Sequence, residues 1–199
     1  MRFLVVYCHP DPESFASAVR QLVVDGLKAN GHEIKLIDLY AEEFQPALTY
    51  DEKQTYVAKP KVNARPLQEH VDALAWCEGM AFVFPTWFHG PPAMLKGWFE
   101  RAWLPGYAFD IPRRQGETVT SKLRHVRRLL VVTTSGSPWW WIQLIGNPCR
   151  RLFTRAIRAL FALSCKTSWL QLYSMNNTTA KQRQQFLDRV SRTVAAIRG

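Results

Sequence analysis

The sequence predicts a doubly wound α/β protein, in which a five-stranded parallel sheet is sandwiched between two layers of helices. Two observations predict this fold class. Five short apolar runs alternate with amphipathic stretches at helical spacing, as in consecutive βαβ units. The run at residues 80–84 has no polar side chain and is bounded by Gly79 and Pro85, which is typical of a strand buried on both faces. At 199 residues the chain fits one domain, residues 1–199.

The first βαβ unit is predicted over residues 2–39. Residues 2–8 are rich in β-branched and aromatic side chains and are followed by Pro10 and Pro12, so we expect the first strand there. Ser14 can cap a helix over residues 15–30, which Asn30 and Gly31 would end. Residues 33–39 alternate enough to form the second strand, and the crossover between the two strands should be right-handed.

The middle of the chain surrounds the buried strand at residues 80–84. Residues 40–65 are polar and irregular, so we expect an excursion with a short helix, then a helix from Pro66. Pro91 and Pro92 can open the next helix, residues 93–103, because proline in the first turn gives up only amides that lack intrahelical partners. Residues 104–125 contain several breakers and predict a long loop, which in compact domains is usually functional.

The last third of the chain predicts two more strands. Residues 126–133 and 166–173 are the fourth and fifth, with helices over residues 149–163 and 179–198.

No window approaches the roughly 18 apolar residues of a membrane span, and the N-terminal run resembles a strand more than a signal peptide, so we expect a cytoplasmic protein. The four cysteines form no Cys-x-x-Cys pair and no metal-type spacing, which favours reduced, buried thiols and no metal site.

The net charge of +10 is concentrated in two basic clusters. Such clusters could attract phosphate groups, an anionic membrane or nucleic acid, although solvated helix and loop faces are the simpler interpretation, and we expect no nucleic-acid partner. The first cluster comprises Arg113, Arg114, Lys122, Arg124, Arg127 and Arg128, and the second comprises Arg150, Arg151, Arg155 and Arg158.

Three loops should meet at the carboxyl edge of the sheet, where open α/β sheets bind ligands. In the first, helix amides and the hydroxyls of Ser14 and Ser17 could cradle a phosphate, with His9 as a donor. Ser14 could equally be a plain N-cap, and His9 a loop histidine bonded to backbone. The second loop, residues 85–90, offers backbone donors and the aromatic faces of Trp87 and Phe88 to a planar heterocycle, or packs on its own helix. The third, residues 133–136, supplies amides and hydroxyls, or is only a turn.

Several motifs resemble those of the flavodoxin-like NAD(P)H dehydrogenase (quinone) family, which includes the bacterial modulator of drug activity B and the drug-metabolising quinone reductases. The most specific is the run from Phe84-Pro85-Thr86-Trp87 through Gly90-Pro91-Pro92-Ala93 to Leu95-Lys96-Gly97-Trp98-Phe99-Glu100-Arg101. His9 with Ser14-Phe15-Ala16, Asp38-Leu39-Tyr40 and Thr133-Thr134-Ser135-Gly136 add to it. The similarity covers residues 2–140 well and the rest loosely.

The resemblance implies a flavodoxin-like sheet of order 2-1-3-4-5, an FAD cofactor with FMN as the alternative, and a homodimer whose interface helps form each substrate pocket. It places one group of residues near the phosphates, a second along the isoalloxazine edge and a third around its pyrimidine end. These groups are His9, Ser14, Phe15, Ala16 and Ser17; Pro85, Thr86, Trp87 and Phe88; and Thr133, Thr134, Ser135 and Gly136.

The activity implied by the resemblance is two-electron reduction of quinones or similar acceptors by NAD(P)H, in a ping-pong cycle in which donor and acceptor use the same face of the flavin. Trp140, Trp141 and Tyr107 are candidate walls for the acceptor. The chain departs from the pattern of that family in having Ala16 where an Asn is frequent. Trp141 stands in place of a flanking Tyr, and a flanking His has no obvious counterpart. The alternative is a regulatory subunit of a membrane transporter, which would contact an anionic surface or acidic partner through the basic helix at residues 150–158.

Overall fold

The computed structural model describes residues 1–112, 114 and 116–198, so Arg113 of the first basic cluster lies outside the described residues. Strands and helices alternate along the chain as the sequence predicts. In the first half they are β1 Arg2–Tyr7, α1 Phe15–Ala29, β2 Glu33–Asp38, α2 Tyr50–Thr55, α3 Pro60–Ala64, α4 Gln68–Trp76, β3 Gly79–Thr86 and α5 Ala93–Ala102. In the second half they are β4 Phe109–Asp110, β5 Thr120–Ser121, β6 Arg128–Ser135, α6 Trp139–Leu144, α7 Pro148–Arg151, β7 Lys166–Leu172 and α8 Ala180–Ala195.

The five long strands form one parallel sheet in the order β2-β1-β3-β6-β7. Numbered among the long strands alone, this is the predicted order 2-1-3-4-5, and the doubly wound fold class is confirmed. Alternate residues along each strand enter two separate cores. Val5 and Val83 pack with α1 and α8 on one face, while Leu4 and Phe82 pack with α4, α5 and the segment after α7 on the other. Both faces are therefore covered, which accounts for the uninterrupted apolar run of β3.

The capping predicted for α1 is observed. The hydroxyl of Ser14 accepts a hydrogen bond from the amide of Ser17, and Asn30 ends the helix. Gly31 follows with a φ of 78°, a left-handed conformation that glycine adopts without a steric penalty. The excursion before α4 contains two short helices, of which α2 begins with a capping box formed by Thr49 and Glu52.

Two predictions of regular structure need correction. The loop predicted over residues 104–125 contains a short antiparallel ribbon, since β4 pairs with β5. The helix predicted over residues 149–163 is α7 followed by a π-helical stretch, Leu152–Ile157, and a 3₁₀ turn, Arg158–Leu160. The strands β4 and β5 have only two residues each, which is too short for a periodic signal in the sequence. In the second segment the helical prediction was right in kind, but residue spacing does not separate α-helix from short π and 3₁₀ stretches. The helix expected from Pro66 is likewise preceded by a 3₁₀ turn at Arg65–Leu67.

Candidate functional site

A cavity of about 510 Å³ lies at the carboxyl edge of the sheet, and we call it the carboxyl-edge cavity. It receives residues from the ends of four strands. Its lining consists of His9 after β1, Pro85, Thr86, Trp87 and Phe88 at the end of β3, Thr134, Ser135 and Gly136 at the end of β6, and Met175 and Asn176 after β7. All three loops that the sequence singled out therefore contribute to one concave site, as expected for an open parallel sheet.

The loop after β3 is a tight turn in which two residues have a strained backbone conformation. The amide of Gly90 donates to the carbonyl of Trp87 at 2.9 Å, and the amide of Trp87 donates back to Gly90 at 3.0 Å. The two residues between them, Phe88 and His89, have φ values of 46° and 62°. Non-glycine residues seldom adopt such values, and in pairs they are typical of type I′ turns, which favour Asn and Gly. Strain of this kind often accompanies a functional role.

This turn presents aromatic surface to the cavity. The side chain of Phe88 is fully exposed, and Trp87 retains 44% of its accessible surface. The rings of Trp87 and His9 lie with their centroids 6.3 Å apart. An apolar side chain that is exposed at a site of backbone strain is poorly explained by packing. These rings are available to stack against a planar ligand.

The loop after β6 lines the cavity with small residues. A Cβ atom on Gly136 would meet only the Nδ2 atom of Asn176, at an ordinary 3.5 Å. Packing within the protein therefore does not require glycine here, whereas a side chain would fill part of the cavity. The Ser135 hydroxyl donates to the carbonyl of Ser137 at 3.2 Å, which stabilises the loop.

Thr133 has a different environment from its neighbours. It is buried, and its hydroxyl lies 2.9 Å from that of Thr86, so the two strands are joined just beneath the cavity. The side chain is placed to support Thr86 rather than to line the cavity. Its assignment to the cofactor stays a prediction.

The loop after β1 contributes His9 to the cavity. Nδ1 of His9 lies 3.0 Å from the amide of Asp11 and 3.2 Å from its carbonyl oxygen, so its role depends on the tautomer. In the tautomer in which Nδ1 accepts from the amide, Nε2 carries the proton and can donate to a ligand. Ser14, Phe15, Ala16 and Ser17 form the first turn of α1 beside this loop, and they do not line the cavity in the described structure. The Ser14 hydroxyl lies 3.3 Å from that of Tyr7, and the Phe15 ring packs on Phe186. The roles predicted for the four residues at a phosphate remain predictions.

Met175 and Asn176 were missed in the sequence. They lie in a 3₁₀ turn, Met175–Asn177, that follows Ser174, a residue with a φ of 51°. Their position after the fifth predicted strand was a usable signal, since that strand also ends at the carboxyl edge. A smaller cavity of about 250 Å³ shares part of this lining and is also lined by His89 and Ser137, neither of which lines the carboxyl-edge cavity.

The three candidate acceptor walls are separated. Trp141 lies in α6, where its ring is 5.8 Å from that of Trp140, and both side chains are exposed. Tyr107 packs instead against a small core of Ala64, Val71 and Leu104, next to α4. Within this chain none of the three residues belongs to the described lining of the carboxyl-edge cavity, and their role at an acceptor stays a prediction.

The cysteines do not supply a nucleophile to the site. All four are buried and free, as expected. Burial raises the pKa of the Cys8, Cys77 and Cys149 thiols to about 12, so they stay protonated at neutral pH.

In residues 1–112, 114 and 116–198, no group of three or more His, Cys, Asp or Glu side chains could hold a metal ion. Nor does any helix within those ranges have the length and apolar character needed to cross a membrane.

Comparison with known proteins agrees with this architecture. The ribosyldihydronicotinamide dehydrogenase (quinone) of Pongo abelii is 30% identical over 151 residues, covering 68% of this chain and 64% of that protein. This chain therefore spans slightly less than two thirds of that relative's length. A solved NAD(P)H:quinone oxidoreductase from Methanothermobacter marburgensis has a TM-score of 0.81 at 22% identity, covering 98% of each chain.

An FMN-dependent NADH-azoreductase from Bacillus anthracis, solved in complex with FMN, has a TM-score of 0.74 at 15% identity over 98% of each chain. These two structures share the fold of this protein. A family whose description is a flavodoxin-like fold matches residues 1–196, nearly the whole sequence. The chain therefore belongs to this family of flavodoxin-like proteins.

Proposed function

We propose that this protein is a flavin-dependent NAD(P)H oxidoreductase that reduces quinones or similar acceptors by two electrons in a ping-pong cycle. The observation that carries the proposal is the carboxyl-edge cavity, whose lining combines the aromatic side chains of Trp87 and Phe88 with the small residues Thr134, Ser135 and Gly136. The quinone-reducing names of the relatives support the same reaction class. Part of the sequence similarity that led to the proposal lies in residues that line this cavity, namely His9, Pro85 to Phe88 and Thr134 to Gly136.

The cavity fits a flavin on two grounds. The open space beside Gly136 would admit the edge of a planar ring, since no packing contact forces a glycine there. Trp87 and Phe88 line the same cavity and offer flat apolar surface to such a ring. We favour FMN over the FAD expected first, because the azoreductase of similar fold was solved with FMN. FAD is the alternative.

A bound flavin would supply the chemistry of hydride acceptance and two-electron release, while the protein supplies position and electrostatics. In this proposal the backbone amides of Ser135 and Gly136 donate to the pyrimidine end of the ring, and such donors act most strongly in a preorganised, dry site. The Nε2 atom of His9 donates to the phosphate. The amides of Phe15 and Ala16, in the first turn of α1, provide further donors to an anion.

The donor in this proposal is NADH or NADPH, and the active form is a cytoplasmic homodimer. The large exposed aromatic side chains of α6 support a second subunit, since Trp139 and Trp140 retain 61% and 60% of their accessible surface. A partner that covers α6 would lie close to the loop that carries Gly136. Such a partner could also bring Tyr107 of one subunit towards the acceptor site of the other.

The flavin is tested by denaturing purified protein and separating the released chromophore. The apoprotein is then incubated with FMN and with FAD, and its thermal unfolding is recorded. We expect FMN at about 100 times its dissociation constant to add roughly 2.7 kcal/mol to the free energy of unfolding. If neither flavin is retained and neither stabilises the protein, the proposed function is wrong.

A second candidate function is that of a regulatory subunit of a membrane transporter. It is favoured by Arg150, Arg151 and Arg155, which are exposed on the segment after α6. Arg158, in contrast, donates to the carbonyls of Leu163 and Cys165 and so stabilises the local fold. If the exposed arginines instead attract the anionic dinucleotide, their field should act over about 8 Å at physiological ionic strength.

Reversal of two charges, Arg151→Glu with Arg155→Glu, distinguishes the two functions. For an oxidoreductase we expect slower reduction by NAD(P)H in stopped-flow measurements, with a smaller difference at high salt. For a regulatory subunit we expect lost binding to anionic vesicles and unchanged reduction kinetics. The second outcome would favour the transporter role.

A further inference from the structure

A second cavity, of about 530 Å³, lies at the opposite edge of the sheet, and we call it the amino-edge cavity. It is formed where β6 and β7 begin and where α8 ends. Four of its lining residues are basic, namely Arg127, Arg128, Lys166 and Arg198, and none of its described lining residues is acidic. Met1, Ser164, Ala196 and Ile197 complete the lining.

The register of the sheet brings two of these cations together. Arg128 and Lys166 are paired positions on the adjacent parallel strands β6 and β7. Side chains at paired positions lie on the same face of a sheet, and like charges placed opposite each other repel. The face is the one covered by α8, since the next residue of β6 on that side, Leu130, packs with Val190 and Val194. An anion between the two side chains would remove this repulsion.

Some hydrogen-bond donors and positive charges that line this cavity have no partner among the described residues. The Nε atom of Arg128 is buried and has no hydrogen-bond partner, although its Nη2 atom donates to Ser168 at 3.3 Å. Among the described residues, Lys166 and Arg198 have no carboxylate within 4.0 Å, whereas Arg127 pairs with Glu78 at 3.1 Å. A buried guanidinium donor without an acceptor is unfavourable, so this pattern points to an acceptor that the described residues do not supply.

Two carbonyls at the end of α8 have hydrogen-bond donors other than these cations. Basic side chains often stabilise a helix by approaching its last carbonyls. Here Nδ2 of Asn30 donates to the carbonyls of Val194 and Ile197 at 2.9 and 3.0 Å, and Nε2 of His32 lies 3.1 Å from that of Ile197. These carbonyls are therefore already satisfied.

The surrounding sequence strengthens the positive potential. Residues 118–187 contain eleven lysines and arginines and no aspartate or glutamate. Both β6 and β7 lie within this range. Clefts lined by one sign of charge attract counter-ions, so the local field favours an anion.

We propose that the amino-edge cavity binds a small phosphate-bearing anion. Phosphate oxygens would accept from the guanidinium of Arg128 and the ammonium of Lys166, and the volume suits a small phosphorylated molecule rather than a bare ion. The site is separate from the carboxyl-edge cavity, because β6 runs for seven residue steps, roughly 23 Å, between Arg128 and Ser135. The proposal does not depend on the flavin.

The test uses pyrophosphate as the probe and the full-length protein. Binding is measured by isothermal titration, and thermal unfolding is recorded with pyrophosphate and with sodium chloride at equal ionic strength. We expect saturable binding, and a loss of affinity of at least tenfold in Arg128→Gln and in Lys166→Gln. Lys166 is exposed, so its variant tests the site even if the Arg128 variant folds poorly.

Lys181→Gln is the matched control, since it removes one positive charge at the other end of α8. We expect it to bind pyrophosphate within twofold of the original protein. The proposal is overturned if pyrophosphate stabilises the protein no more than sodium chloride does. It is also overturned if the control loses as much affinity as Lys166→Gln, because the effect would then reflect net charge alone.

Discussion

The indole nitrogen of Trp98 donates a hydrogen bond to Nδ1 of His70 at 3.0 Å, and this bond joins α5 to α4. An indole N–H can only donate, so Nδ1 accepts and the neutral ring carries its proton on Nε2. That nitrogen lies 3.3 Å from the carboxylate of Glu42. Burial nevertheless lowers the pKa of His70 and raises that of Glu42, so this pair is stable as a hydrogen bond between a neutral imidazole and the carboxyl group.

The lowered pKa of His70 predicts a pH dependence of stability. The unfolded chain takes up this proton near pH 6.5 and the folded protein at a lower pH, so the free energy of unfolding should fall as pH decreases below about 6.5. Because the raised pKa of Glu42 acts in the opposite direction, the comparison is made between Glu42→Gln and Glu42→Gln with His70→Gln. Urea unfolding from pH 5 to 8 should show the steeper fall in the variant that retains His70. Parallel curves would contradict the prediction.

Gly97 is predicted to be intolerant of any side chain. A Cβ atom on this residue would lie 2.2 Å from the carbonyl oxygen of Pro46 and 2.5 Å from its Cα atom. Both are backbone atoms and cannot rotate away. We expect Gly97→Ala to lower the free energy of unfolding by about 1–3 kcal/mol, despite the higher helix propensity of alanine.

Lys96→Ala is the control for Gly97→Ala, because its side chain is exposed on the same helix. It should change the free energy of unfolding by less than about 0.5 kcal/mol. Denaturant unfolding of both variants makes the comparison. A Gly97→Ala protein as stable as the original would show that α5 can shift away from Pro46.

Relieving the strain at Phe88 and His89 should stabilise the protein but weaken flavin binding. Replacing Phe88 by Asn and His89 by Gly supplies the residues that a turn with two positive φ values prefers. Each relieved position should stabilise the protein by roughly 1 kcal/mol. Flavin binding should weaken, because the exposed ring of Phe88 is removed. Thermal unfolding and flavin titration measure the two effects.

His89→Gly alone is the matched variant for the turn. It relieves strain at one position and keeps Phe88, so we expect a gain in stability with little change in flavin affinity. If the double variant bound flavin as well as the original protein, Phe88 would have no part in the site, and the strain at the turn would need another explanation.

A side chain at Gly136 should lower flavin affinity while leaving the stability of the apoprotein nearly unchanged. Because a Cβ atom there has only one ordinary contact, we expect Gly136→Val to unfold within about 1 kcal/mol of the original apoprotein. Its flavin affinity should fall at least tenfold, since the side chain would occupy the cavity. Trp87→Ala should reduce affinity less, because it removes stacking surface without blocking entry. Unchanged affinity in Gly136→Val would place the flavin elsewhere.

The local signals in the sequence were sufficient for the fold class and for part of the site. The apolar run of β3, the Ser14 cap and the stop at Asn30 and Gly31 each depend on residues within a few positions of one another. Such effects are readable because a cap or a buried strand needs particular residue types at fixed short spacing. The same reasoning placed the loops after β1, β3 and β6 at one edge of the sheet.

Only the tertiary structure decided how these loops meet and which further residues line the cavity with them. The arrival of Met175 and Asn176 at the cavity, and the burial of Thr133 against Thr86, depend on how separate strands pair. Arg128 and Lys166 are paired although they lie 38 positions apart in the sequence (166 minus 128). No local sequence pattern predicts this pairing. Strand register is set by packing across the whole sheet, and a shift of one residue would turn every side chain to the other face. Sequence periodicity identifies the strands of this protein, whereas their register determines which charges and hydroxyl groups meet.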